Sequence, residues 1–203
     1  MQKRQILFIH GGMTFKNRAD YLNFLKNVEI KLESRKRWHE DYLKKSVGNF
    51  CDIIKPRMPL ADNARYEDWK IFFERHIPLL RNGVILIGSS LGGIFLARYL
   101  SENIFPKKIK AVLLVAPPFD NSLQGEDLVG GFKLKGDLSL IEKNCKNIYF
   151  FFSSDDACVP LEHAYKYRKK LPRADFVICD KANGHFKVSQ FPEIVKVIKA
   201  HLK

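Results

Sequence analysis

A serine hydroxyl is a weak nucleophile at neutral pH until a neighbouring base takes its proton, and that base works best when a carboxylate orients it. One serine of this 203-residue chain stands in a setting suited to such chemistry. A short apolar run, Val84 to Ile87, leads into Gly88-Ser89-Ser90-Leu91-Gly92, and Gly93 to Leu100 follows with apolar residues at helical spacing. Strand, sharp turn and helix with a serine at the apex is the G-x-S-x-G arrangement of a nucleophile elbow. So tight a turn demands nearly side-chain-free residues two before and two after the nucleophile. Ser90 has Gly88 and Gly92 at those places, whereas Ser89 has Ile87 and Leu91. Ser90 is therefore the candidate nucleophile. The competing reading is an ordinary strand-to-helix turn with an incidental serine.

Partners for Ser90 occur further along the chain in the order serine, acid, histidine. Asp155 and Asp156 lie in Ser153-Ser-Asp-Asp-Ala-Cys-Val-Pro160, just past an expected strand, and Asp120 lies past the strand before it. His185 follows the last expected strand, in Asn183-Gly-His-Phe186. His39, His76, His163 and His201 fall in helical or charged segments, where surface or core packing is the simpler role. His10-Gly11-Gly12 closes the first expected strand. A developing oxyanion needs two backbone N–H donors, here that of Leu91 and one from Gly12 or Met13. Glycine lets backbone approach a substrate oxygen without a Cβ in the way.

The elements that must position these residues alternate regularly. Strands are expected at Gln5–Ile9, Phe50–Lys55, 84–88, Lys108–Ala116, Ile148–Phe152 and Ala174–Cys179. The first is rich in strand formers and apolar from Ile6 to Ile9, as a strand buried on both faces is. Helices are expected at Ala19–Val28, Trp38–Val47, Tyr66–Leu80 (entered through Asp62-Asn63), 93–103, Ser139–Lys143, Leu161–Leu171 and Phe191–Leu202. The stretch from Phe119 to Leu138, with Gly125, Gly130, Gly131 and Gly136, reads as loop. This alternation predicts an α/β fold: one domain over 1–203, with a mostly parallel six-stranded sheet in the order 2-1-3-4-5-6 and helices on both faces. No separate cap domain is expected. Residues 13–50 exceed an ordinary connection and read as an insertion overhanging the site. In such a sheet ligands bind beyond the carboxyl ends of the strands, at the switch in strand order between strands 1 and 3. Those two strands end at His10-Gly11-Gly12 and at Ser90.

The formal net charge of +13 raises the question of nucleic acid. The basic residues are dispersed, however, as in Arg35-Lys36-Arg37, Lys44-Lys45 and Lys169-Lys170, so no specific nucleic-acid site is expected. No apolar run is long enough for a membrane span, and the N-terminal run is too short for a signal-peptide core. Cys51, Cys145, Cys158 and Cys179 are scattered, without C-x-x-C or zinc spacing. Free thiols in a cytoplasmic protein, with no metal and no cofactor, are the expectation.

The chain resembles the α/β-hydrolases over its whole span from His10 to His185. D-x-x-V-P after the penultimate strand is a recurrent pattern of that superfamily; Asp156-Ala-Cys-Val-Pro160 matches it and Asp155 does not. Gly-His-Phe is what the resemblance implies for the loop of the catalytic histidine, and His10-Gly11-Gly12 looks like the oxyanion loop, with His10 shaping it. The short length, the Ala-Pro-Pro after strand four and these loops are most similar to the small single-domain serine hydrolases typified by retinoblastoma-binding protein nine. The resemblance implies a carboxylesterase-like hydrolase that uses Ser90, Asp156 and His185 on the ester, thioester or amide bond of a small acyl substrate. Two alternatives stand beside it: a catalytically silent binding protein on the same fold, and an acyltransferase using the same residues. Phe15, Pro118, Phe119 and Phe186 flank the motifs and suggest an apolar pocket wall.

Overall fold

A computed structural model describes residues 2–30, 32, 36–123 and 127–202. Arg35, Gly125 and residues 31, 33 and 34 of the 13–50 segment lie outside the described residues. Six strands form one sheet: β1 (Arg4–Ile9), β2 (Cys51–Ile54), β3 (Val84–Ser89), β4 (Ile109–Val115), β5 (Ile148–Ser153) and β6 (Asp175–Cys179). Their order is β2-β1-β3-β4-β5-β6, as the alternation predicts. Every pair is parallel. β1 sits between β2 and β3, so the sheet grows one way from β1 and then the other, which brings the ends of β1 and β3 side by side. Ile9 pairs with Gly88 at that edge.

The period-2 alternation of the strands divides the core into two layers. Leu7, Ile9, Leu86, Leu114, Phe150 and Phe152 face one way, against α3 (Tyr66–His76), α4 (Leu91–Glu102), α5 (Ser139–Asn144) and α6 (Glu162–Lys170). Ile6, Phe8, Ile85, Ile87, Leu113 and Phe151 face the other way, against α2 (Asp41–Val47) and α7 (Pro192–Ala200). Trp38, Leu43 and Val47 are buried in this second layer. The later part of the 13–50 segment is thus core.

α1 (Arg18–Asn27) takes the expected position. None of its residues is buried, and Leu22 and Leu25 are exposed. It is held instead at its start, where Asn17 Oδ1 accepts from Asp20 N–H, and by Phe15, whose ring packs against Tyr21 and Phe24. The entry to α3 differs from the sequence reading. Its N-cap is Arg65, not Asp62-Asn63, and Tyr66 N–H is satisfied by Gly130 C=O at 2.8 Å. α3 itself ends at His76 because Pro78 forces a 3-10 turn over Ile77–Leu79.

Candidate active site

Ser90 is held at φ 55° and ψ −121°, a conformation that L-residues rarely adopt. The neighbouring backbone imposes it. Ser90 N–H donates to Val115 C=O at 2.8 Å, and its carbonyl accepts from Gly93 N–H at 2.8 Å as α4 begins. The spacing rule has a direct steric basis: a Cβ on Gly88 would strike Gly92 C=O, and one on Gly92 would strike the carbonyls of Ile9 and His10. Other non-glycine residues with positive φ stand close by in the same loops, namely Ala116 (44°), Asn183 (51°) and Phe186 (48°). Strain concentrated in this way is characteristic of functional sites.

The acid and base candidates meet. His185 Nδ1 lies 2.7 Å from Asp156 Oδ2, and the Asp156 side chain is completely buried. Asp156 Oδ1 accepts from the N–H groups of Cys158 (2.9 Å) and Val159 (3.0 Å), which fixes the carboxylate and leaves Oδ2 for the imidazole. His185 and Ser90 line one cleft. Asp120 is engaged elsewhere, on Lys166 Nζ at 2.7 Å. Burial opposes its ionisation, but hydrogen bonds from Lys166 and Ser122 together outweigh that and hold it at about 2.

The His10-Gly11-Gly12 loop lies against Ser90. A Cβ on Gly11 would come within 3.2 Å of the Ser90 Cβ. Met58 N–H donates to His10 Nε2 at 2.9 Å, so the proton is on Nδ1, which donates to Gly11 C=O at 2.6 Å. Both ring nitrogens of His10 are thus engaged by backbone groups, one of them in its own loop. Of the two second-donor candidates, Met13 is engaged: its N–H donates to Ala61 C=O at 2.8 Å. The N–H of Gly12 has no acceptor among the described residues. Leu91 is the first residue of α4, where N–H groups lack partners within the helix.

Several residues of this site carry no motif. Asp155 braces the histidine loop: its carboxylate accepts from Ala182 N–H at 3.2 Å and Gly184 N–H at 3.0 Å. Hydrogen bonds from Ser153 first, then Gly184, hold its carboxyl below the usual range. The Asp-Asp doublet hints at two roles, but the partners of Asp155 include backbone groups that no sequence pattern marks. His39 stacks on Phe8 at 4.9 Å, in line with a packing role, yet it also lines the cleft that Ser90 and His185 share. Burial first, then Lys55, lowers its pKa to about 4. His163 is core: it accepts from Phe119 N–H at 2.9 Å and faces Ser122 C=O.

Two clefts open at Ser90. The larger, about 530 Å³, is walled by Met13, Phe15, Phe24, Pro118, Leu123 and Val159. The smaller, about 250 Å³, contains His185, His39 and Arg37. Of the four flanking residues singled out in the sequence, Phe15 and Pro118 line the larger cleft and Phe186 the smaller. Phe119 packs edge-on against Tyr167.

Sheet order, elbow and strand-end loops place the molecule among the α/β-hydrolases. Comparison with known proteins narrows this. Residues 33–200 match the serine hydrolase family model, and the chain belongs to that family; it is a hydrolase. The match starts beyond the His10 loop. The chain is 28% identical over 166 residues to rat (Rattus norvegicus) serine hydrolase RBBP9, covering 81% of this chain and 84% of that protein. Among solved structures it is similar to the ydeN gene product of B. subtilis, with a TM-score of 0.75, 19% identity and 98% coverage of both chains. It is also similar in fold to a structure described among carboxylesterases of Nitrososphaera gargenis, with a TM-score of 0.63 and 12% identity over 99% of this chain and 90% of that one.

Proposed function

We propose that the enzyme hydrolyses the ester, thioester or amide bond of a small acyl substrate through an acyl-enzyme intermediate on Ser90. His185 Nε2 takes the Ser90 proton as Oγ attacks the carbonyl carbon, and Asp156 holds the imidazole by Nδ1 and stabilises the imidazolium. Leu91 N–H and Gly12 N–H receive the oxyanion; one such donor is typically worth about 3 kcal/mol of transition-state stabilisation. The imidazolium then protonates the leaving group. Water, deprotonated by the same imidazole, releases the acid and restores Ser90.

The observation that carries this reading is the 2.7 Å contact of His185 Nδ1 with a fully buried Asp156, in a histidine that shares a cleft with Ser90. The apolar wall of the larger cleft suits an acyl chain. No helix among the described residues is long and apolar enough to cross a membrane. None of the four cysteines is in a disulfide, which fits a reducing, cytoplasmic setting. The test is a panel of 4-nitrophenyl esters of increasing acyl length, with Ser90→Ala as the blank. The wild type is expected to turn over the shorter members and the blank none; a folded wild type inert to every ester contradicts the proposal.

A further inference from the structure

The two clefts at Ser90 differ in charge as well as in size. The carboxylates of the larger cleft are already partnered: Asp127 pairs with Lys16 at 3.1 Å, and Asp20 accepts from Asn17 Nδ2 at 2.9 Å. The smaller cleft carries Arg37, half-buried; its backbone N–H donates to Glu40 Oε2 at 3.1 Å, and its guanidinium has no carboxylate partner among the described residues. His39, beside it, is neutral at neutral pH because burial lowers its pKa to about 4, so Arg37 supplies the positive charge there. The position of Arg37 is fixed by its neighbour. Trp38 is buried against Phe8 and Phe191, and its N–H donates to Val188 C=O at 2.9 Å. Lys36 and Lys187, next in sequence to Arg37 and Phe186, line a further shallow depression. The positive character thus extends beyond the cleft.

The reaction assigns the two clefts different occupants. The imidazolium of His185 must reach the departing atom, so the leaving group lies on the His185 side, in the smaller cleft. The acyl chain takes the apolar one. This step rests on the proposed roles of Ser90 and His185.

We infer that the leaving group of the preferred substrate is an alcohol or thiol bearing an oxyanion, a carboxylate or a phosphate, which the Arg37 guanidinium binds beside the catalytic histidine. In acylation the Ser90 Oγ–carbon bond forms and the bond from the acyl carbon to the leaving oxygen or sulfur breaks. The Ser90 proton passes through His185 to that atom, and the alcohol or thiol departs with its anion intact. Water then attacks the acyl-enzyme and the carboxylic acid leaves. Arg37 takes no part in proton transfer and acts on selection alone. Arginine suits this role, because its planar fork binds carboxylate and phosphate oxygens in pairs.

The test uses butyrate esters of phenols that carry, at the meta position, a carboxylate, a phosphonate or a neutral carboxamide. Wild-type kcat/KM is expected to be about tenfold higher for an anionic ester than for the carboxamide, the size of one charge-assisted hydrogen-bonded pair. Arg37→Gln is expected to abolish that preference, so that the anionic esters and the carboxamide ester run at the same rate in the variant, and Arg37→Lys to restore part of it. Lys169→Gln, at an exposed position on α6, is expected to keep the preference. A gain with either anion supports the inference, and the larger one names the group. Equal rates on charged and neutral esters overturn it. So does a preference that survives Arg37→Gln, or one that falls equally in Lys169→Gln, which would assign it to the overall charge of +13. A wild type inert even to the carboxamide ester would instead overturn the hydrolytic reading of Ser90, and this inference with it.

Discussion

The interior of the sheet and its carboxyl-end rim are made by the same strands, yet they are held in different ways. In the interior, Ile85, Leu86, Ile87, Leu113 and Phe151 are wholly buried and paired in parallel register. Burial of apolar area holds this region, and burial does not distinguish sharply between one branched side chain and another. At the rim the backbone leaves ordinary conformations at Ser90, Ala116, Asn183 and Phe186. There the structure depends on named contacts: Asp156 on two N–H groups and His185, Asp155 on the histidine loop, and His10 on Met58 N–H. The interior provides stability and the rim uses part of it to hold a strained, reactive geometry. Substitutions in the two regions should therefore separate rate from stability.

The largest expected effect is at the rim. Asp156→Asn keeps an oxygen for the Cys158 and Val159 N–H groups but loses the carboxylate that fixes the imidazole. kcat for a 4-nitrophenyl ester is expected to fall about 10⁴-fold with little change in the melting temperature. A fall accompanied by global destabilisation would erase the distinction. In the interior, Ile198→Ala on α7 removes a fully buried side chain remote in sequence from the site loops. It is expected to cost about 3 kcal/mol in urea unfolding and to leave kcat of the folded enzyme unchanged. Asp155→Ala, back at the rim, frees Gly184 N–H, leaves Ala182 N–H to Ser153 Oγ alone and lets the histidine loop shift. A fall in kcat of roughly 10–100-fold is expected, with Asp155→Asn retaining part of the activity. An unaltered kcat would mean that the loop needs no brace.

The smallest effect concerns pH. Burial depresses the pKa of both His39 (to about 4) and His163. The unfolded chain then binds protons more readily than the folded one as pH falls below the ordinary histidine value. The stability contributed by neutral His39 is fully present above about pH 6.5, and it is lost as pH falls toward about 4. Thermal melts from pH 8 to 4 should show this loss, and His39→Asn should flatten part of it. A melting temperature that is constant over that range contradicts the assignment.

The interior was legible in the sequence because burial leaves a pattern. Runs such as Ile85-Leu-Ile and Ile148-Tyr-Phe-Phe-Phe can bury both faces only inside a sheet, and their alternation with helices gave the strand order. The elbow was legible because glycine spacing is a steric requirement. What stayed hidden depends on backbone partners, which have no residue identity. Nothing in the sequence marks Met13 N–H as engaged with Ala61, or Asp155 as the acceptor for Ala182 and Gly184. The apolar spacing of α1 marked a helix but not its surroundings: it lies on the surface, where Phe24 and Asn23 line the larger cleft. Arg37 looked like one member of a dispersed basic run until the burial of Trp38 placed it beside Ser90.

The central claim is that the strained serine at the elbow is the nucleophile, activated by the histidine that Asp156 holds. Labelling with a fluorophosphonate, followed by intact mass and peptide mapping, tests it most directly. A single adduct on Ser90 is expected, absent from Ser90→Ala and strongly slowed in His185→Ala, with Ser89→Ala labelling as the wild type does. An adduct on Ser89, or a folded wild type that takes up no label, would contradict it.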